Sequence, residues 1–286
     1  MPLTAFVLVL FAAIAHSTWN LLAKRAAHST HLNWFSSLGE TVLFLPLAIW
    51  ILERSQWRLS LRAAAFLVAT GILHVFYFEC LQRGYRVGDL SIVYPLARGT
   101  GPLLSFCGAI LALNEHPSRL ATVGALLVSF GILFLSGATT ALRDRTTHAA
   151  LFWGTLTGLI IASYTVTDGY SVKVLALSPV LVDYAGSLFR SVALSPKAWR
   201  ERTGIREEYR LYWRESLGIS ILTPIGYILV LFAMRLASVS RVAPVREMSM
   251  IIGAYLGTTL LREGHGVCRM IGTALIAAGV AALTFG

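Results

Sequence analysis

The sequence reads NEHPSRLATVGALLVSFGILFL at residues 114–135 and REGHGVCRMIGTALIAAGVAAL at residues 262–283. A shift of 148 positions places a glutamate, two glycines and a leucine of the first segment on identical residues of the second. The aligned pairs are Glu115 with Glu263, Gly124 with Gly272, Leu127 with Leu275, and Gly131 with Gly279. Several matches at one spacing indicate an internal duplication.

The duplication extends upstream with small changes in spacing. A shift of 149 aligns Pro95 with Pro244, and a shift of 150 aligns Pro46 with Pro196, as short insertions between the halves require. We therefore predict a first repeat at residues 1–138, a linker at 139–149 and a second repeat at 150–286.

The composition indicates that lipid is the solvent of this chain. Hydrophobic residues make up 56% of the 286 residues and charged residues 13%, whereas soluble domains average about 45–50% and about 25%. A run of about 20 apolar residues predicts a transmembrane helix. Ten runs satisfy this criterion, at residues 3–23, 32–52, 62–82, 89–113, 118–138, 150–174, 179–195, 214–236, 238–261 and 266–285. The charged stretch 197–215 predicts a solvated loop or an interfacial helix.

Five spans in each repeat have a geometric consequence. After an odd number of spans, the second repeat enters the membrane from the opposite side. We therefore predict an all-α, polytopic membrane protein of about ten transmembrane helices in two inverted five-helix repeats. In secondary transporters built in this way, the substrate site lies near the midplane, where the repeats meet.

Three motifs carry a resemblance to a known family. They are HSTWNLLAK at residues 16–24, GDLSIVYPLARGTGPLL at 88–104, and APVREMSMIIGAYLGTTLLREG with IGTALIAAGVAAL in the last two helices. The chain resembles, over essentially its whole length, EamA-like members of the drug/metabolite transporter superfamily. The resemblance implies a central cavity and substrates such as amino acids, metabolites, nucleotide sugars or drugs. Charges interrupt helices that are mostly apolar in the simplest family pattern, which disfavours a purely lipophilic cargo.

Charged side chains occur at mid-membrane positions of the predicted helices. A charge at the bilayer centre costs several kcal/mol, so it persists where it is paired, wetted or functional. The 149 shift places Arg98 on Glu247, and the 150 shift places Glu40 on Arg190. We therefore predict two acid–base pairs between the repeats. Such pairs either bind cargo and re-form during transport or act as static bridges that fix helix packing.

Polar and aromatic residues complete the predicted site. His16 and Asn20 lie one helical turn apart beside Trp19, where they serve either substrate binding or interhelical hydrogen bonds. Asp168 is the acid predicted for proton coupling, with Glu247 and Glu40 as alternatives. We predict that substrate binds to Arg98, Glu247, Arg246, His16, Trp19, Asn20, Tyr94, Tyr164, Asp168, Tyr227, His74, Glu40 and Arg190.

Other residues are assigned to structure. The two pairs of aligned glycines are predicted to pack helices closely, as are Gly253 and Gly257. Glu115 and Glu263 lie at helix junctions, where capping is the predicted role.

The predicted function is a secondary transporter, exporter or exchanger, of a small polar, zwitterionic or anionic metabolite such as an amino acid, by alternating access. Arg98 and Arg246 would attract an anionic group, and Glu247 and Asp168 an amine or a proton. The alternative is an exporter of amphipathic drugs or toxic compounds. A channel or a membrane enzyme is less favoured, because the sequence has neither a dedicated filter nor a closely spaced catalytic acid pair. A Walker Gly-x4-Gly-Lys run is also absent from the sequence.

The expected partners are a small-molecule substrate, the lipid bilayer and protons, for a monomer or homodimer. The net charge of +10 is spread singly between apolar runs, so no nucleic acid is expected. Neither a metal nor a cofactor is predicted, because the three cysteines have no paired spacing. The predicted location is the inner (cytoplasmic) membrane, as a multi-pass protein. Six Lys and Arg residues at 197–214 place that stretch in the cytoplasm and both termini outside by the positive-inside rule.

Overall fold

The computed structural model describes residues 1–26, 28–54, 60–87, 90–135, 147–260 and 267–286. These residues form ten helices and no strand, which confirms the all-α prediction. The helices are α1 Leu3–Arg25, α2 Leu32–Arg54, α3 Leu61–Val87, α4 Leu90–Leu113, α5 Arg119–Leu135, α6 Thr147–Lys173, α7 Pro179–Arg200, α8 Ile205–Leu236, α9 in two segments at Val239–Val245 and Met248–Leu260, and α10 Val267–Phe285.

The helices present apolar side chains outward and keep polar side chains inside. Leu111 is 85% exposed and Phe76 56%, whereas Asp168 and Glu247 are fully buried. This distribution suits lipid, in which a charged group must face the interior of the bundle. Five described stretches are long and apolar enough to cross a membrane by themselves: Leu3–Ala23, Leu32–Arg54, Leu61–Leu81, Leu96–Leu113 and Ile205–Leu236.

The packing of the helices follows an inverted twofold symmetry. Helices α1 and α6 are equivalent, as are α3 and α8, and α4 and α9. The contact of α1 with α8 is therefore equivalent to that of α6 with α3. The contact of α4 with α6 is likewise equivalent to that of α9 with α1. The pairs α2–α7, α4–α9 and α5–α10 each join equivalent helices of the two repeats. The amino terminus donates a hydrogen bond to the carbonyl of Thr284, so both termini lie on one face. We call this face the terminal face.

Two glycine pairs allow α5 and α10 to touch backbone to backbone. A Cβ atom on Gly124 would lie 2.8 Å from the carbonyl oxygen of Gly279, and one on Gly131 would lie 2.9 Å from that of Gly272. These distances confirm the predicted close contact. The same prediction is wrong for Gly253 within the described part of the chain, where no atom lies within 4 Å of a Cβ placed there. The surroundings of Gly257 lie outside the described residues.

Two helix boundaries differ from the prediction. Helix α7 continues to Arg200 and α8 begins at Ile205, so residues 197–215 are almost entirely helical and no long loop exists there. The backbone of α8 departs from helical geometry at Tyr212, where φ is −115° and ψ is 18°. Of the two predicted alternatives for this stretch, a solvated loop and an interfacial helix, the structure has a helix. Hydropathy alone does not distinguish them, because it reports contact with lipid rather than helicity.

Helix α9 was predicted as one continuous span, but it breaks into two at Arg246 and Glu247. Pro244 has no N–H group to donate within the helix. Around the break, Glu247 N–H bonds to the Pro244 carbonyl at 3.0 Å and Met250 N–H to the Glu247 carbonyl at 2.8 Å, three residues apart. The Ser249 carbonyl accepts a hydrogen bond from Ser17 Oγ of α1 at 2.8 Å. The break therefore holds two charged residues at the level of the bundle centre.

Candidate functional site

A cavity of about 330 Å³ lies between the two repeats. Both repeats line it, and ten of the thirteen predicted site residues are in the lining. These ten are His16, Trp19, Asn20, Glu40, His74, Arg98, Tyr164, Arg190, Tyr227 and Arg246. The structure thus brings together side chains from α1, α2, α3, α4, α6, α7, α8 and α9.

The cavity extends from the middle of the bundle toward the face opposite the termini. Its lining includes Ala23, close to the end of α1, and Asn33, close to the start of α2. Tyr164 and Tyr227 line its deeper part. Below them, Tyr227 Oη donates a hydrogen bond to Asp168 Oδ2 at 2.5 Å. This bond lies between the cavity and the terminal face.

One side of the cavity, formed by α4 and α9, carries excess positive charge. Arg98 Nη1 lies 3.5 Å from Glu247 Oε2, which confirms the first predicted acid–base pair. Arg246 Nε donates to the other oxygen, Glu247 Oε1, at 3.3 Å. Two guanidinium groups thus share one carboxylate. We call Arg98, Arg246 and Glu247 the basic wall.

The side formed by α2 and α7 carries the opposite excess. Arg190 Nη2 donates to Glu40 Oε2 at 3.1 Å, which confirms the second predicted pair. The Asp183 carboxyl, one turn into α7, lines the cavity beside this pair. Two carboxyl groups and one guanidinium therefore line this side. We call Glu40, Asp183 and Arg190 the acidic wall.

Aromatic rings line the cavity together with the two walls. The rings of His74 and Tyr164 are stacked with centroids 4.4 Å apart, and Tyr227 meets His74 edge-on at 5.8 Å. Tyr77 contacts Tyr164 edge-on, also at 5.8 Å. These rings offer apolar faces next to charged groups, as in sites that orient a ligand by a few polar contacts.

The polar cluster of α1 is held within its own helix. Trp19 Nε1 donates to His16 Nδ1 at 2.9 Å, and Asn20 Nδ2 donates to the His16 carbonyl at 2.7 Å. Neither bond joins two helices, so these contacts differ from the interhelical bonding considered from the sequence. All three side chains face the cavity.

Two predicted site residues lie behind the cavity lining rather than in it. Asp168 is fully buried and is covered by Tyr227, to which it is hydrogen bonded. Glu247 is fully buried and is covered by the two arginines that it pairs with. The side chain of Tyr94 lies outside the described residues. The sequence indicated the depth of these residues but not the rotation of their helices.

Several lining residues were not predicted from the sequence. Asn33, Ser36, Ser37 and Thr223 add hydroxyl and amide groups, Tyr77 and Phe78 add rings, and Asp183 adds the second carboxyl of the acidic wall. A signal for part of this set was present: Asn33, Ser37 and Glu40 follow a spacing of four and three, which places them on one helical face.

A further carboxylate lies outside the cavity, on the terminal face. Glu115 accepts hydrogen bonds from the N–H groups of Val239 and Ser240 at 2.8 and 2.9 Å, and its Oε1 lies 3.0 Å from Lys173 Nζ. It therefore caps the start of α9, as predicted. Burial alone would raise the pKa of Glu115, but the bonds from Ser240, Lys173 and Val239 outweigh it and lower the pKa below its ordinary value. Glu263 lies outside the described residues.

Comparison with known families agrees with this arrangement. The model of the EamA-like transporter family matches twice, over residues 3–137 and 148–285. The chain belongs to the EamA-like transporter family. This EamA-like transporter is thus a multi-pass membrane protein of a family that transports small molecules, built from an inverted repeat. No curated protein matches it.

A solved structure has the same fold as this EamA-like transporter. The structure, titled "Crystal structure of protein", is 16% identical, with a TM-score of 0.77 over 100% of this chain and 98% of the other. At this identity the likeness concerns the fold alone. Within the described residues, no group of three or more His, Cys, Asp or Glu side chains could hold a metal ion.

Proposed function

We propose that this EamA-like transporter is a secondary exporter or exchanger of a small polar metabolite, zwitterionic or anionic, such as an amino acid. The observation that supports this most is the charge distribution of the cavity. A wall with one excess positive charge and a wall with one excess carboxyl group bound a single cavity. A zwitterion complements both walls at once.

The basic wall is the proposed binding site for a substrate carboxylate. Glu247 neutralises one of the two guanidinium groups, and buried Arg246 Nη2 has no hydrogen-bond acceptor among the described residues. Arginine binds carboxylates strongly because its donors form a planar fork. Glu247 is then a positioning residue, which orients Arg98 and Arg246 without touching the substrate.

The acidic wall is the proposed site for the substrate ammonium group. Glu40 and Asp183 both line the cavity, together with the aromatic rings of His74, Tyr77 and Tyr164. A cavity of about 330 Å³ is near the lower end of ligand pockets, which span about 300–1,000 Å³. This size favours a molecule comparable to an amino acid.

Alternating access would act between the two repeats. The pairs Arg98–Glu247 and Glu40–Arg190 each join one helix of the first repeat to one of the second. We propose residues 1–138 and 150–286 as the two units that move, joined by the linker at 139–149, in the inner (cytoplasmic) membrane. In the state described here, the cavity reaches the face opposite the termini.

A ligand screen tests the proposal. Purified protein is heated with amino acids, organophosphates or aromatic drugs, and stabilising ligands are then assayed for counterflow in proteoliposomes. We expect a zwitterionic or anionic ligand to stabilise the protein, and Arg246→Ala to abolish that effect. Arg83→Ala is the matched control, because Arg83 is 60% exposed and pairs with Glu79 outside the cavity. Ligands that bind Arg246→Ala and the parent equally would refute the site.

An exporter of amphipathic drugs is the second candidate, supported by the aromatic rings around His74. Aromatic faces bind organic cations. In the same screen, this alternative predicts stabilisation by aromatic cations and no requirement for Arg246. Saturable counterflow separates both carriers from a channel, which gives non-saturating flux, and from an enzyme, which gives a new product.

A further inference from the structure

We propose that Glu40 and Asp183 form the proton-binding site of this transporter, and that a proton and the substrate ammonium group occupy the acidic wall in turn. This inference rests on the proposed function, which it extends by naming the coupling ion and its site. It moves the proton away from Asp168, the acid predicted from the sequence.

The first support is the burial of two carboxyl groups at one site. Glu40 is 2% exposed and Asp183 is 6% exposed. Glu40 Oε2 accepts from Arg190, whereas the buried Glu40 Oε1 has no donor among the described residues. The Asp183 carboxyl lines the same cavity beside it. Two ionised carboxylates at one site repel each other, so their proximity favours a proton on one.

The second support is the charge of the surroundings, taken helix by helix. Helix α7 contributes Arg190, the cation in contact with Glu40. Helix α6 contributes Asp168, a further acid. Helix α3 contributes His74, whose Nδ1 bonds to the Thr70 carbonyl at 2.9 Å. Helices α8 and α9 contribute Tyr227, which donates to Asp168, and Arg246, which pairs with Glu247. One contacting guanidinium therefore balances one of the two carboxylates.

The third support is access. Glu40 and Asp183 line the cavity, so water can bring a proton to them, whereas Asp168 lies behind Tyr227. The pair also joins α2 to α7, one helix from each repeat. Proton binding therefore changes a contact that must move during alternating access.

The chemistry of the exchange is a simple competition. A hydronium ion transfers one proton to a carboxylate oxygen of the pair, which leaves a neutral carboxylic acid and water. With that proton bound, the acidic wall has no net charge and holds the substrate ammonium weakly. When the proton leaves, the net negative charge returns and the ammonium binds. Substrate and proton thus replace each other on one site.

The protonated carboxyl can be measured without a known substrate. Infrared difference spectra of the full-length protein in proteoliposomes, taken between alkaline and acidic buffer, show the carbonyl stretch of a carboxylic acid. We expect this band in the parent and a loss of most of it in Asp183→Asn and in Glu40→Gln. The matched control is Glu79→Gln, which removes a 51% exposed carboxylate outside the cavity and should leave the band unchanged. Asp183→Glu should keep a band, which separates lost protonation from misfolding.

Transport provides a second readout. For any zwitterion found by counterflow, a pH gradient should drive net uptake in the parent. We expect Asp183→Asn to lower this uptake about ten-fold, about 1.4 kcal/mol as a rate ratio, and to leave a weakened counterflow that no longer depends on pH. A band that survives in both Asp183→Asn and Glu40→Gln but disappears in Asp168→Asn would overturn the inference. If the parent carries no zwitterion or anion, the proposed function fails, and the infrared result still decides whether the pair binds the proton.

Discussion

The basic and acidic walls contain equivalent ion pairs but carry opposite excess charge. In each, an arginine of one repeat pairs with a carboxylate at the equivalent position of the other, at 3.5 Å for Arg98–Glu247 and 3.1 Å for Arg190–Glu40. The third member differs: Arg246 joins the first pair, whereas Asp183 joins the second. The repeat therefore fixes where a pair forms, and one neighbouring residue fixes the sign of its excess charge.

The backbone explains why the third members differ in position. Helix α9 is broken, so that the consecutive residues Arg246 and Glu247 both contribute to the basic wall. Helix α7 is continuous, so Asp183 and Arg190, seven residues apart, share one helical face two turns apart. Both then flank Glu40. A broken helix and a continuous helix therefore each place two charged residues in one wall.

The largest expected difference between the walls is in stability. Glu247→Gln should lower the free energy of unfolding by about 3–5 kcal/mol, because it leaves the buried Arg246 and the partly buried Arg98 without this carboxylate. Glu40→Gln should cost about 1 kcal/mol, because Asp183 remains beside Arg190. Thermal unfolding of both variants in the same detergent measures the difference. Equal losses would mean that Asp183 does not compensate for Glu40.

The next difference concerns ligand affinity. Arg246→Ala should weaken binding of a carboxylate ligand by about 10- to 100-fold, as expected for a charge-assisted hydrogen bond of about 1.5–3 kcal/mol. Arg190→Ala should change carboxylate affinity only a few-fold, since Arg190 belongs to the opposite wall. Calorimetric titration with the ligand found in the screen measures both. A larger loss in Arg190→Ala would reverse the assignment of the two walls.

The sequence predicted both ion pairs because their partners are related by the repeat. The offset that superposes Pro95 on Pro244 also superposes Arg98 on Glu247, and no knowledge of helix rotation is needed for that step. Asp183 and Ser36 were missed, because the 150 shift places them on Asn33 and Gly186, which carry no opposite charge. Their positions depend on which face of α7 and α2 turns inward, and hydropathy alone does not specify that face.

Helix rotation also explains why the sequence did not show that Asp168 and Glu247 lie behind the cavity lining. The depth of Asp168 in α6 was predicted, and the structure shows that Tyr227 of α8 covers it. The break at Arg246 and Glu247 could be anticipated only as a kink near Pro244. Glycine spacing, in contrast, correctly predicted close helix packing at Gly124 and Gly279, because a missing side chain has a direct steric meaning.

Glu115 is an ion-paired carboxylate outside the cavity. The stability lost when it is neutralised can therefore be compared with the losses expected in the two walls. Its lowered pKa means that its contribution to stability is present above the ordinary pKa of glutamate and is lost as the pH falls through the lowered value. Glu115→Gln should cost about 1 kcal/mol at neutral pH, as for loss of a helix cap. The difference from the parent should shrink in acid. A cost that is independent of pH down to the unfolding limit would contradict the ionised cap.

The smallest expected effect comes from exchanging the members of a pair. Glu40→Arg alone should be strongly destabilising, because two guanidinium groups then meet, and Arg190→Glu alone gathers three carboxyl groups. The double variant restores one cation and two acids, so its unfolding free energy should lie within about 1 kcal/mol of the parent, with a favourable coupling energy between the sites.

The corresponding double variant of the basic wall, Arg98→Glu with Glu247→Arg, also keeps two cations and one acid. Its new arginine, however, would be adjacent in sequence to Arg246, and the new glutamate would come from a continuous helix. If the acidic wall tolerates the exchange and the basic wall does not, the broken backbone of α9 is what distinguishes them, because the charges in the two experiments are balanced in the same way.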